Sequence, residues 1–449
     1  MNMQRPKVLL VIFSVFVSSL ILFSCSDDDN GTSPSASATI RGKVTNDAGL
    51  SKTTGAVGDA KVKIHSVQAD GSFENVSTAT VETNAEGKFS VETNADYTEN
   101  TVCTAEKGDN EWQTMVTAMS ETDIDAEATY YAQPMTTEST VEAKAYQEVI
   151  AHGQSDDVLY ADMASSVNAD LAAEMSGDAN IIADFAVAVE NMVRGRNDMM
   201  AGSHMNVAQS DIEAAAGARI EAQAALEERL YMADGNETEE EAAFETFYES
   251  DLSAFINAGV NSKNVVKARS ASGHFLRIHS NPSGNMAFEI EKQSKLRASM
   301  SMESALTSEF THAGASEAQV QGAADACAQL QADIKAAESS ADLEQATDEF
   351  KNRVFNGLKL VLSGQEALLI TLDGTIAGSA GLTTTLESSV AAASTNEEII
   401  SAYAEFFSEV DAAVNSSLSG MSDAKINAAT EIYILMNVLA PPDIADSLS

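Results

Sequence analysis

The chain has 449 residues, and its 68 Asp and Glu stand against 26 Lys and Arg, a formal charge of −42. A field of that sign repels phosphate backbones and anionic headgroups, so no nucleic acid is expected as a partner. Hydrophobic residues make up 44% of the chain, too many for the disorder that acidity brings to a polar sequence, and a folded core is therefore expected.

At the N-terminus Arg5 and Lys7 precede an apolar run, Val8 to Phe23, that ends in Leu22-Phe23-Ser24-Cys25. The run falls short of the roughly 20 residues that a spanning helix needs, and its flanks suit a secretory signal. Residues 1-24 are expected to be a lipoprotein signal peptide. Leu22 and Ser24 before Cys25 resemble the bacterial lipobox, with Phe23 bulkier than the common pattern. The resemblance implies cleavage before Cys25, acylation of its thiol, and attachment to a membrane through the N-terminal lipid. Two or more acyl chains hold a protein stably, each buried CH₂ contributing about 0.8 kcal/mol.

Residues 25-37 read as a tether: Ser26-Asp27-Asp28-Asp29-Asn30, then Gly, Ser, Thr and Ala without apolar periodicity. The acidic triplet resembles the export signal of Bacteroidota-type lipoproteins, which implies the outer membrane and the cell surface. Removal of Arg5 and Lys7 with the signal leaves 24 basic residues against 68 acidic ones, or −44, on the mature chain. Scarce lysine beside abundant acid resembles the surfaces of proteins from salt-loving organisms, so the acidity is expected to reflect habitat rather than ligand.

From residue 38 to 134 the pattern is of strands. Thr39 to Val44 and Ala60 to Ile64 alternate, and Thr80 to Thr83 lead through Asn84-Ala85-Glu86-Gly87 into Lys88 to Val91. Further strands are expected over 101-105, 111-118 and 124-131. Period-2 alternation broken by short turns predicts a small antiparallel β-sandwich. Ile40, Val44, Val62, Ile64, Phe89 and Val91 should face one core, and Gly87 should take a turn conformation that other residues resist. Ile40-x-Gly42-x-Val44, Asp59-Ala60-Lys61-Val62 and Thr83-x-Ala85-x-Gly87-x-Phe89-x-Val91 together resemble the carboxypeptidase regulatory-like, transthyretin-like domain. Asp96-Tyr97 departs from the family's usual Gly-Tyr. The resemblance implies a spacer or interaction module without catalytic residues of its own.

Beyond Pro134 the period changes to 3.6. Ser210-x-x-Glu213, Thr238-x-x-Glu241, Ser316-x-x-Gln319 and Thr395-x-x-Glu398 read as capping boxes, and Gly153, Gly177, Gly235 and Gly259 as helix stops. About ten helices are expected over 135-449, including single ones at 156-175 and 341-372. Val354 to Leu372 and Ile432 to Leu439 are apolar almost all round, which predicts that both lie at the centre. The fold class is thus α+β in two domains, a small β-sandwich followed by a large all-α helical bundle, each with its own apolar set. Cys103 and Cys327 are expected to be buried small hydrophobes rather than a disulfide.

The sequence holds no H-E-x-x-H, H-x-x-E, G-x-S-x-G, P-loop or G-x-G-x-x-G. Glu309-x-x-His312 has the spacing of one carboxylate-bridged di-iron ligand pair, but a bundle of that kind needs two such pairs and two further glutamates. Glu148 with His152, and His274 with His279, are weaker metal candidates. The run Glu237, Glu239, Glu240 and Glu241 suits a helix's first turn, where acid complements the dipole. No cofactor is expected. Three function classes remain: a non-enzymatic surface lipoprotein that binds a protein or envelope partner, a ligand- or metal-binding receptor of an outer-membrane uptake system, and a hydrolase with unrecognised catalytic residues. The second would need a polar-lined pocket between helices.

Overall fold

A computed structural model describes residues 38-50, 53-93, 100-117, 128-153, 158-282 and 284-439. The signal peptide, Cys25, the tether and Asp96-Tyr97 lie outside the described residues.

Among the described residues eight strands come first: β1 (Thr39–Lys43), β2 (Lys61–Val67), β3 (Phe73–Asn75), β4 (Val81–Glu82), β5 (Lys88–Glu92), β6 (Thr101–Lys107), β7 (Asn110–Val116) and β8 (Thr129–Tyr131). They form two sheets. One has the order β5-β1-β8; the other runs β3-β2-β6-β7, with β4 also paired to β2. The β1–β8 pair is parallel, so the expected all-antiparallel arrangement holds for the other pairs only. The turn before β5 is built as expected: Gly87 has φ +74°, and a Cβ there would lie 2.5 Å from the Val44 carbonyl oxygen. In β1, Gly42 is opposite Phe89 and leaves room for the Phe89 ring, which a Cβ would meet at 2.4 Å.

The alternation sorts side chains onto two faces. Ile40, Val44, Val62, Ile64, Phe89 and Val91 lie in one buried cluster together with Cys103, Ala105 and Val116. The opposite face of the second sheet is also covered. Val67, Val102 and Met115 belong to the main cluster of the helical part, against which β7 lays the first helix. The strand region and the helices therefore share apolar contacts, and the described residues fall within one compact unit, Ala36–Ser449.

Fourteen helices follow among the described residues: α1 (Thr137–Ala151), α2 (Tyr160–Ala164), α3 (Ala169–Met175), α4 (Ala179–Ala201), α5 (Gln209–Ala233), α6 (Glu237–Asn257), α7 (Ser262–Ser280), α8 (Asn285–His312), α9 (Glu317–Ala336), α10 (Ser340–Val361), α11 (Glu366–Ile376), α12 (Leu382–Ala392), α13 (Asn396–Ser417) and α14 (Asp423–Asn437). The count exceeds ten partly because two expected helices are each divided. Asn168 takes the Leu171 amide at 2.7 Å and starts α3 anew, while Gly364, at φ +89°, ends the turn after α10. Capping boxes form at Ser316 and Thr395. Ser210 and Thr238 instead lie inside α5 and α6, which start one residue earlier. Gly153, Gly177, Gly235 and Gly259 all have positive φ at helix ends.

The centre is only half where the apolar runs place it. Ile432 to Leu439 is buried throughout. Val354 to Leu372 is not central: the break at Gly364 divides it, and Leu360 and Ile370 are 67% and 61% exposed. The inner position belongs to α7, buried without interruption from Val265 to Leu276. Its small residues allow close approach. A Cβ on Gly273 would lie 2.5 Å from Ser294 Oγ of α8, and one on Gly195 of α4 would lie 2.9 Å from the Phe275 ring.

Candidate functional site

The polar side chains of the buried helices form one chain of charge. Arg196 of α4 donates to Asp162 of α2 at 2.7 Å, and Arg219 of α5 donates to the same carboxylate at 2.7 Å. Arg219 Nε reaches Asp251 of α6 at 2.5 Å, and Asp251 also accepts from Arg269 of α7. Arg269 continues to Ser301 of α8 at 2.6 Å, and Arg297 of α8 donates to Ser166 at 3.0 Å. The four guanidinium groups and two carboxylates are all buried. The paired arginines hold Asp162 and Asp251 below the usual carboxylate range against the opposing effect of burial. Each of six helices supplies one charge, so the network fixes their relative positions.

A second set of buried carboxylates faces the strand region. Glu240 of α6 accepts the amide of Thr53 at 3.2 Å and also its hydroxyl. Glu227 of α5 accepts the amide of Thr117 at 3.1 Å and its hydroxyl. Glu142 of α1 accepts from Tyr160 at 2.8 Å and Gln133 at 2.5 Å. Burial pushes Glu142 up to about 7 and Glu227 up to about 8. At the solvent edge, Asp234 pairs with Lys88 at 2.8 Å and Lys43 at 3.4 Å.

Between α1, α3, α6 and α8 lies a cleft of about 470 Å³. On α6, Glu241, Phe244, Glu245 and Tyr248 follow i, i+3, i+4, i+7 spacing and so share one face; Gln293, Leu296 and Met300 do the same on α8. Val167 and Asp170 border the cleft from the α2–α3 connection and α3, and Lys335 of α9 stands at its rim, 3.7 Å from Glu245. Glu138, in the first turn of α1, also lines the cleft and is 7% exposed. Its Oε2 accepts the Leu50 amide at 2.9 Å. Burial, and after it Glu142, raises the Glu138 carboxyl well above its ordinary value, with Asp170 adding to the rise. Tyr248 is likewise raised by burial, to about 12.

The residues singled out from sequence lie elsewhere. Glu309 and His312 are neighbours, Oε2 to Nδ1 3.5 Å, but His312 is 64% exposed and Glu309 Oε1 faces Lys263 Nζ at 3.5 Å. Lys263 and Lys267 both pair with Glu431, at 3.3 and 2.8 Å, so ammonium groups already neutralise Glu309 and Glu431. No group of three His, Cys, Asp or Glu side chains suited to a metal occurs among the described residues. His152 turns to Glu190 of α4 at 3.3 Å rather than to Glu148. His274 is buried against Tyr403 and pushed down to about 3 by burial, whereas His279 meets Asn396 at 3.2 Å. Within the acidic run at the start of α6, Glu240 points inward to Thr53 and Glu241 borders the cleft. Cys103 and Cys327 are buried free thiols, raised by desolvation.

Sequence reasoning missed Glu138, Tyr248 and the arginine network. Glu138 and Glu142 carried one signal: like charges at i, i+4 oppose an exposed helix. The chain matches no protein-family model, no curated protein and no solved structure. No described helix is long and apolar enough to cross a membrane.

Proposed function

We propose that this chain is a lipid-anchored protein of the cell envelope, cut before Cys25, acylated there and displayed at the outer-membrane surface. In this reading the strand region is a β-sandwich of the carboxypeptidase regulatory-like kind and serves as a spacer. The helical part binds a ligand without chemical conversion. The observation that supports binding is the cleft of about 470 Å³, with apolar walls from α6 and α8 and carboxylates at its base and rim. That volume lies in the range of small-molecule sites, roughly 300–1,000 Å³. It also favours a second reading, the ligand-binding receptor of an uptake system, over a module that grips a protein partner on a flat face. The Asp and Glu excess supports adaptation to high salt.

Intact-mass analysis of the envelope fraction tests the anchor. The expected product is a chain beginning at Cys25 with added acyl mass, and Cys25→Ala should leave unprocessed precursor. A lipid-free chain starting elsewhere would remove the anchor. Protease added to whole cells should shave the wild-type protein from the surface; full protection would place it on the periplasmic side.

A further inference from the structure

The cleft has a definite charge. Among the described residues, Glu138, Asp170, Glu241 and Glu245 line it against Lys335, and that ammonium sits beside Glu245. Glu138 is the innermost of these carboxylates, more than nine-tenths buried. Among the described residues it has one hydrogen bond, from the Leu50 amide to Oε2, and no cation pairs with either oxygen. A buried carboxylate with an open oxygen costs free energy unless it takes up a proton, the direction in which Glu138 is already pushed, or a positive partner arrives and holds it ionised. Half-buried Phe244 and Tyr248, with ring centroids 6.5 Å apart, stand on the same wall, and aromatic faces attract organic cations. An anion would meet the carboxylates. A neutral apolar guest would fill the walls yet leave Glu138 unsatisfied.

We propose that the cleft binds an organic ammonium ion, with its charged nitrogen at Glu138 and Asp170 and its carbon body on Phe244, Tyr248, Leu296 and Met300. This rests on the cleft being the ligand site of the proposed function. Asp170 is close enough to raise Glu138, so one ammonium relieves two like charges at once. The hydrocarbon walls separate this site from a metal site, which would surround a hard cation with oxygens.

Calorimetric titration of the full chain in nonionic detergent with 4-phenylbutylamine and with the neutral 4-phenylbutanol tests the inference. The amine is expected to bind with one-to-one stoichiometry, at least about tenfold tighter than the alcohol, a difference of roughly 1.4 kcal/mol. Glu138→Gln keeps an acceptor for the Leu50 amide; it should weaken the amine about tenfold and leave the alcohol unchanged. Asp170→Asn, at an exposed position, should weaken the amine alone without affecting the fold, and Tyr248→Leu should weaken both compounds. Equal binding of amine and alcohol, insensitive to Glu138→Gln and Asp170→Asn, would overturn the ammonium assignment while leaving a ligand cleft. Failure of both compounds to bind at millimolar concentration would overturn the cleft as well.

Discussion

Asp162 and Arg219, 57 positions apart in sequence, meet at 2.7 Å in the helical core with water excluded from both. Asp162 also serves Arg196, so one carboxylate balances two guanidinium groups. Removing it leaves Arg196 without its acid and makes Arg219 share Asp251 with Arg269 in a desolvated place. Asp162→Asn should cost about 3–5 kcal/mol. An Asp162→Asn, Arg219→Met double variant should lose less than the sum of the single changes, because contacting charges couple. Urea denaturation of the four proteins checks this, and strictly additive losses would mean that the pair does not act as a unit.

How far this fold could be read from sequence depended on where each residue's partner lies. Ile432 to Leu439 offers no polar face, and it is buried as that pattern requires. Ser316 and Thr395 find their capping partners three residues on, so local spacing was sufficient there. The inner helix α7 was illegible because Lys267 and His274 on one side and Arg269 on the other look like the polar surface of a solvated helix. Lys267 and Arg269 are buried through Glu431 and Asp251 on other helices, and His274 is held in the uncharged form by its surroundings. Val354 to Leu372 misled in the opposite sense, since apolar composition carries no sign of the turn at Gly364. The cleft was beyond reach for the same reason as α7: Glu138, Phe244 and Leu296 converge from three helices without any local motif.

The carboxylates between strands and helices set an unusual pH dependence. Glu142 and Glu227 bind protons more tightly in the folded chain, near 7 and 8, than their ordinary value of 4.5. The titratable groups facing them are each other, Glu138, Tyr160, Tyr248 and Cys103, none of them cationic. A raised carboxyl pKa contributes stability that is complete below the unfolded value and is lost as pH rises through the folded value. Stability should therefore fall from about pH 5 to pH 8, by an amount on the order of a few kcal/mol. Asp162 and Asp251, whose values are lowered, act in the opposite sense and lose their contribution only in stronger acid. Melting curves at constant ionic strength should show the decline, and Glu227→Gln should flatten it. A wild-type slope that survives Glu142→Gln and Glu227→Gln together would assign the effect to surface charge.

Burial decides between two leucines that the apolar pattern treats alike. Leu435 is fully buried, whereas Leu360 is 67% exposed. Leu435→Ala should cost about 2–5 kcal/mol, and Leu360→Ala should stay within about 0.5 kcal/mol of the parent. Denaturant midpoints measured side by side check the pair; similar losses at both sites would restore the apolar run to the centre of the fold.

Periodicity alone divides the chain at Pro134 into two parts that fold independently, yet the buried contacts tie them together. Val67, Val102 and Met115 leave the strand region to join the helical core. Glu138, Glu227 and Glu240 reach the other way, to backbone and hydroxyl groups of Leu50, Thr117 and Thr53. Separating the parts would uncover the apolar surface and remove the partners of three carboxylates, so the two should unfold as one cooperative unit. The chain supplies its own probe, because its single tryptophan, Trp112, lies on β7. Trp112 fluorescence and helical ellipticity at about 222 nm should change at the same denaturant concentration, coincidence of probes being the test of a two-state transition. Phe89→Ala, which opens the strand-side core at a cost of about 3–5 kcal/mol, should move both probes together. If Trp112 instead responds to Phe89→Ala while the helical signal keeps the parent midpoint, the contacts across Pro134 are too weak to couple the parts, and the strand region is an independent domain.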